Sequence, residues 1–350
     1  MQRKNIAIIG LVLIAVIAFG FYILKPKPVT SDHTEVTEVS EENGIYCYTS
    51  SRNMCFLSSD DYQVLNKVLI YGGLNVAAVS DKKVYLTIRG DHSKAGKEIA
   101  VFRNGNIIKS IELEHILPEN IIYNEHDGKA YVGHILINHT NYITVINTKN
   151  DTVEHVIPYH DKVIEDMAIC GNKLYVSSWY SRAPGEASQI DTIDLDDYCL
   201  INTFPLDYTV TSMIVLDNTI YGIRSLSDEP VVYALNAENG NVEKRIQLEE
   251  QYPWEIYKNE QDGKIQLYVS HYNVDNGTGD SISCIDPETS EVIDVLPNAL
   301  SAEVLGFNGS DILICEQKNN RLSIMRDSKL VRKIGIGRVM AIATVSESSE

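Results

Sequence analysis

The chain has 350 residues, with 48 acidic against 30 basic side chains and a formal charge of −18. An acidic surface of this size repels phosphate backbones, which argues against nucleic acid as a partner. The six cysteines include no Cys-x-x-Cys pair and no Cys/His set with zinc spacing, which argues against a structural zinc module.

Residues 6–24 carry no charge and follow Arg3 and Lys4. At helical rise they span about 28 Å, close to a bilayer core. Residues 1–24 therefore read as a transmembrane signal anchor, with the N-terminus in the cytoplasm and the remainder outside, at the cell membrane. Ala18-Phe-Gly20 keeps open the alternative of a cleaved signal peptide, which would make the protein secreted. Residues 25–43 are polar and aperiodic and read as a flexible stalk.

Next, Cys47 and Cys55 flank the turn YTSSRNM. They could face each other across a hairpin, either as a disulfide in an oxidising compartment or as two thiols. The other four cysteines read as small buried apolar residues.

From there a short strand recurs. DKKVYLTIR (81–89), DGKAYVGHI (127–135), GNKLYVSSW (171–179), DNTIYGIRS (217–225), DGKIQLYVS (262–270) and a worn copy, GSDILICEQ (309–317), share one pattern. Their centres are Tyr85, Tyr131, Tyr175, Tyr221, Tyr268 and Leu313, spaced by 46, 44, 46, 47 and 45 residues. A fixed period of this size marks a repeat architecture. Each copy sits in a four-strand unit ending in a strand, a polar turn and a strand, as in VFRNGNIIKSIEL and ALNAENGNVEKRIQL. Six units run from 74 to about 336. Residues 44–70 supply three strands without a first. Residues 338–345 supply one unpaired strand.

If that last strand completes the first unit, the array closes and loses its exposed edges. The expected fold is therefore all-β: a seven-bladed propeller of four-stranded blades over 44–346, with a tail at 347–350. A parallel β-solenoid has rungs of roughly 20–30 residues, too short for this period. The Tyr-Val strand followed by strand, Asn/Asp/Gly turn and strand resembles the YVTN and quinoprotein-like group of seven-bladed β-propellers over nearly all of 44–346. That resemblance implies fold more than function, since the group includes binding proteins, dehydrogenase subunits, lactonases and lyases. The tryptophan signature that quinone-binding propellers repeat in each blade is absent here, so no quinone cofactor is expected.

The same resemblance implies that first strands line a central channel. The second-to-third and fourth-to-first loops would then share the ligand-binding face. On that face the sequence places Arg89, His92, His134, His160, Asp161, Trp179, Tyr180, Arg182, Trp254, His271 and Tyr272 as candidate ligand-binding residues. His134 and His271 occupy equivalent repeat positions, with Ser178, Arg224 and Glu316 in other units. This set reads either as a polar ring or as packing between blades.

No catalytic residue is assigned. There is no Gly-x-Ser-x-Gly elbow, and 275–280 only faintly resembles a calcium loop, so a divalent metal is without support. Four Asn-x-Ser/Thr sequons, at Asn138, Asn150, Asn276 and Asn308, matter only where glycosylation machinery exists. The expectation is a monomeric, membrane-anchored binding or scaffold module for a protein or a small polar or glycan ligand. The alternative is a lactonase- or lyase-type enzyme with a metal or acid/base site at the channel mouth.

Overall fold

The computed structural model describes residues 43–91, 93–180, 188–225, 227–277, 279, 281–297 and 301–345. The expected anchor and tail, and all of the expected stalk except Asn43, lie outside these residues. Among the described residues, no helix is long and apolar enough to cross a membrane.

Twenty-eight strands are described, in seven four-stranded antiparallel sheets. β1 (Gly44–Thr49), β2 (Asn53–Ser58) and β3 (Val64–Leu69) open the chain. Blade one holds β4 (Gly73–Val79), β5 (Lys83–Asp91), β6 (Lys94–Arg103) and β7 (Asn106–Glu112). Blade two holds β8 (Pro118–Asn124), β9 (Lys129–His134), β10 (Tyr142–Asn147) and β11 (Thr152–Pro158). Blade three holds β12 (Lys162–Cys170), β13 (Lys173–Tyr180), β14 (Ser188–Asp194) and β15 (Leu200–Leu206). Blade four holds β16 (Ser212–Leu216), β17 (Thr219–Ile223), β18 (Val231–Asn236) and β19 (Val242–Gln247). Blade five holds β20 (Pro253–Gln261), β21 (Lys264–His271), β22 (Ser281–Asp286) and β23 (Glu291–Pro297). Blade six holds β24 (Ala302–Asn308), β25 (Asp311–Glu316), β26 (Arg321–Arg326) and β27 (Lys329–Ile334). The last strand, β28 (Val339–Val345), pairs with β1 and completes blade seven.

One small twisted sheet cannot bury both faces by itself, and the ring solves this. Seven apolar cores sit one at each blade border. Leu313 and Cys315 of blade six pack with Ile45 and Cys47 of blade seven. Tyr46 and Phe56 of blade seven pack with Leu86 and Phe102 of blade one. Each large side chain buried in this way contributes about 1.5–3 kcal/mol.

The repeated tyrosine belongs to these borders. Tyr46, Tyr85 and Tyr131 are essentially fully buried, and Tyr46 is the copy in blade seven. Its hydroxyl accepts from the Gly105 amide at 2.9 Å, in the turn of the next blade. Tyr85 donates to Asp151, and Tyr221 donates to the Pro287 carbonyl at 2.9 Å, again one blade on. The first-to-second turns reverse on Gly128, Gly171, Gly263 and Gly309, whose φ values are 69°, 58°, 72° and 58°. An added Cβ there would meet nothing within 4 Å, so left-handed φ and not space selects glycine.

Cys47 and Cys55 are direct partners across β1 and β2, and both are buried free thiols. Cys315 packs into the same core. Burial raises the pKa of all three, which disfavours the thiolate needed for disulfide chemistry. Of the two sequence readings, the structure records the thiols.

Candidate binding site at the channel mouth

The innermost strands line a central channel with a cavity of about 370 Å³. Its polar lining comes from equivalent positions on successive first strands: Asn75, Asn120, Asp166, Ser212 and Glu255. Several of these groups reach one blade onward. Asn75 Nδ2 donates to the Glu119 carbonyl at 3.0 Å, and Asn120 Nδ2 donates to the Glu165 carbonyl at 3.2 Å. Asp166 accepts from the Met213 amide at 2.7 Å, and Ser212 Oγ accepts from the Ile256 amide at 3.2 Å. The polar positions thus serve as a belt that ties the inner strands together.

Just before these positions most of the first strands are irregular. The register shifts between Pro118 and Ile121, Ile164 and Asp166, Pro253 and Glu255, and Ala302 and Val304. A bulge releases a side chain from the ladder and re-aims it. The residues released include Glu119, Glu165, Trp254 and Glu303.

Each carboxylate among them has a partner. Trp179 Nε1 donates to Glu165 Oε1 at 2.5 Å. Arg89 lies 3.2 Å from Glu119. Arg338 makes a forked contact with Glu303, at 2.7 and 2.9 Å from Nη2 and 3.1 Å from Nε. Trp254 packs edge-on against Tyr272 at 5.4 Å between ring centres.

The carboxyls also act on one another. Asp166 is pushed up to about 7, first by burial, with the charges of Glu255 and Glu165 adding to it. Glu255 is also pushed up to about 7 by burial, with Glu303 adding, while a hydrogen bond donated by Tyr257 pulls the other way. Both side chains line the channel. Glu119 is raised by burial, with Glu165 contributing and Arg89 opposing.

The candidates read from the sequence divide into three sets. Arg89, Trp179, Trp254 and Tyr272 meet the bulge positions at the mouth. His134 and His271 sit inside their blades, 2 % and 0 % exposed. Each bridges the preceding loop to the third strand. His134 contacts the Ile116 carbonyl at 3.0 Å and Thr144 Oγ1 at 2.9 Å; His271 contacts the Gln251 carbonyl and Ser283 Oγ, both at 2.9 Å. Burial lowers both histidines to about 4. Glu316, at the same repeat position, is held by Arg321, Asn319 and Ser323. These residues are blade brackets.

His160 and Asp161 lie on the loop between blades two and three, and Tyr180 ends β13 of blade three. His160 stands edge-on to Tyr142 at 5.2 Å, Asp161 is 3.3 Å from His139, and Tyr180 has Lys162 5.6 Å from its ring. His92 and Arg182 lie outside the described residues.

Sequence reasoning missed Glu119, Glu165, Asp166, Glu255, Glu303 and Arg338. A repeat alignment of first strands holds a signal: Glu165 follows Glu119 by 46 residues, and Glu303 follows Glu165 by 138, or three periods. No group of three or more His, Cys, Asp or Glu among the described residues is arranged to hold a metal ion.

No family model matches the chain. No curated protein matches it either. Solved structures do. A putative 6-phosphogluconolactonase from Bacteroides fragilis NCTC 9343 aligns at TM-score 0.63 and 13% identity, covering 91% of this chain and 100% of that one. Dihydro-heme d1 dehydrogenase NirN aligns at 0.60 and 12%, covering 92% and 79%. Kuenenia stuttgartiensis hydrazine synthase aligns at 0.59 and 14%, covering 85% and 99%. At these identities the likeness is one of fold, and with seven four-stranded blades in a closed ring the chain is a seven-bladed β-propeller.

Proposed function

We propose that this propeller is a binding module whose channel mouth takes a small polar ligand carrying positive charge. One observation carries the reading: Glu165, Asp166 and Glu255 line one end of the channel, Glu119 and Glu303 act on them from beside it, and among the described residues Arg89 and Arg338 are the guanidiniums paired with this group. Glu119, Glu165 and Glu303 face two guanidiniums, and Asp166 and Glu255, near 7, each add part of a negative charge at neutral pH, so the mouth is net acidic, and low-dielectric walls concentrate that field. Trp179, Trp254 and Tyr272 add aromatic faces that suit ammonium groups or the apolar face of an amino sugar. If residues 6–24 span a membrane, they would hold this mouth at the cell surface.

The test is calorimetric titration of the full chain with spermidine, glucosamine, glucose and gluconate. The amines should bind saturably, and the neutral and anionic sugars should not. Glu165→Gln with Glu303→Gln should weaken amine binding about tenfold or more, the loss of two charge-assisted contacts. Amine affinity unchanged in that double variant would sink the proposal.

A second reading rests on Asp166 and Glu255, two carboxyls near 7 in one channel, a range suited to general acid–base work. It is the lactonase- or lyase-type alternative. Hydrolysis of an aldonolactone that disappears in Glu255→Gln would favour it over simple binding.

A further inference from the structure

Each outer strand carries one residue at its register shift that is equivalent from blade to blade. Five of these residues donate to a carbonyl in the third-to-fourth turn of the next blade. Asn66 reaches Gly105 at 2.9 Å, Lys109 reaches Asn150 and Asp151 at 3.0 and 2.8 Å, and Asn202 reaches Glu238 at 2.8 Å. Lys244 reaches Thr289 at 2.8 Å, and Arg332 reaches Asp61. His155 stacks on Tyr198 of the next turn, with 4.5 Å between ring centres. The remaining residue is Asp294 of blade five, opposite Cys284. A carboxylate can only accept, so it cannot make this tie.

The border of blades seven and one shows what a closed contact needs. Its turn, Asn104-Gly105, and the blade-six turn, Asp327-Ser328, each place two residues at left-handed φ, 47° and 72° against 48° and 55°. At seven and one, Tyr46 accepts from the Gly105 amide and Asn66 holds the Gly105 carbonyl. A Cβ on Gly105 would lie 2.8 Å from the Phe56 ring, so this contact has no room for one. At five and six, Ser328 brings that Cβ, Cys284 stands in the place of Phe56, and Asp294 stands in the place of Asn66. Asn66 Oδ1 accepts from the Lys67 amide at 2.8 Å, and Asp294 Oδ1 accepts from the Val295 amide at 2.9 Å. The second carboxylate oxygen therefore sits where Asn66 offers its Nδ2. Tyr268 turns back to Gln266 of its own strand at 3.0 Å. The border opens into a cavity of about 190 Å³, at the end of the ring away from the channel mouth. Tyr268, Cys284, Asp294, Ile312, Met325 and Asp327 are among its lining.

We propose that this cavity binds a small organic cation, an ammonium or guanidinium group on a short apolar chain. Its N–H groups take the place of the missing amide, bridging Asp294 to the backbone carbonyl of Ser328, the counterpart of Gly105. Asp294 and Asp327 supply two carboxylates, neither with an ion-pair partner among the described residues. The apolar chain lies against Cys284, Ile312 and Met325, all buried. Burial pushes the Cys284 thiol up to about 11; Asp294 and Asp286 add to this, while Tyr268 and Lys264 oppose it. The thiol is thus neutral lining and not a nucleophile. At this volume the cavity is smaller than the roughly 300 Å³ at which drug-sized pockets begin, which limits the ligand to a fragment. A bare metal ion is disfavoured, since no group of three or more His, Cys, Asp or Glu among the described residues is arranged to hold one. The site does not depend on what the channel mouth binds.

The experiment titrates the full chain with butylguanidine, butylamine and the neutral isostere butylurea, read by saturation-transfer NMR. Each titration is repeated in the Glu165→Gln, Glu303→Gln background, so that amine binding at the channel mouth does not mask this site. In that background the two cations should still bind saturably, and butylurea should bind about tenfold more weakly or worse, the loss of a charge-assisted contact. Asp294→Asn keeps the bond to the Val295 amide and supplies the donor that Asn66 and Asn202 use. In the same background it should weaken cation binding about tenfold or more. It should also raise the thermal midpoint of the unliganded chain. Cys284→Phe with Ser328→Gly copies the border of blades seven and one, and should likewise remove binding. The proposal is overturned if Asp294→Asn leaves cation affinity unchanged or lowers the midpoint, or if butylurea binds as tightly as butylguanidine. It is also overturned if the Glu165→Gln, Glu303→Gln chain no longer binds either cation, which would assign all amine binding to the mouth. Calcium binding through Asp294 in the absence of any cation binding would overturn it as well.

Discussion

Trp179 Nε1 and Glu165 Oε1 are 2.5 Å apart, joining the end of the second strand of blade three to the bulge in its first strand. The bond orients a carboxylate at the channel mouth with a half-buried indole. Trp179→Phe keeps the ring and removes the donor. It should cost about 1–2 kcal/mol, as for a lost hydrogen bond to a charged group. Urea unfolding measures this, and an unchanged midpoint would show that the indole N–H contributes nothing.

Glu255 makes stability depend on pH in a defined direction. Its folded pKa, about 7, lies above the ordinary 4.5. The folded state therefore binds its proton more tightly, so this contribution is complete below about 4.5 and is lost as pH rises through about 7. Glu255→Gln can still accept from Tyr257. It should match the wild type at pH 4 and exceed it at pH 8 by on the order of 1–3 kcal/mol. Equal stability at pH 8 would place the titration elsewhere.

His271 works in the opposite sense. Its folded pKa, about 4, lies below the ordinary 6.5, so its contribution is complete above about 6.5 and fades as pH falls through about 4. His271→Gln should start about 1–2 kcal/mol lower at pH 7, since one bridging bond is lost. It should then lose less than the wild type between pH 7 and pH 4.5. Thermal melts at the two pH values decide this.

Ring closure depends on β28. Deleting 338–350 exposes the edge of β1 and removes the Arg338–Glu303 contact. The truncated chain should lose cooperative unfolding or melt far below the full chain. Arg338→Ala alone should cost about 1–3 kcal/mol, because Glu303 keeps a partly buried charge without its partner. A truncation that melts like the full chain contradicts the closed ring.

Thiol reactivity should follow burial. Cys199 is exposed, Cys170 is intermediate, and Cys47, Cys55, Cys284 and Cys315 are buried. A thiol reagent should label Cys199 first and Cys170 more slowly, with the other four reacting only in denaturant. Cys199 itself should react sluggishly at neutral pH, since the Asp197 carboxylate, as hydrogen-bond partner and as a charge, raises its pKa. Four reactive thiols in denaturant, in place of six, would reveal a disulfide.

The architecture was legible in the chain because a propeller blade is written locally. A period near 46, a central aromatic such as Tyr85 or Tyr175, and turns built on Asp, Asn and Gly recur at each copy, and the orphan strand at 338–345 has one unit to complete. The candidate site was legible only at its rim, where Arg89, Trp179, Trp254 and Tyr272 interrupt the pattern. Glu119, Glu165 and Glu303 sit in short first strands that resemble ordinary strand starts. Only the closed ring, with its bulges, turns those positions toward one another. Likewise His134 and His271 look alike whether they face solvent or a blade interior, and only the register of their second strands against the third decides it. Strand identity rests on near neighbours in sequence, while convergence at an axis depends on where seven separate sheets place one residue each.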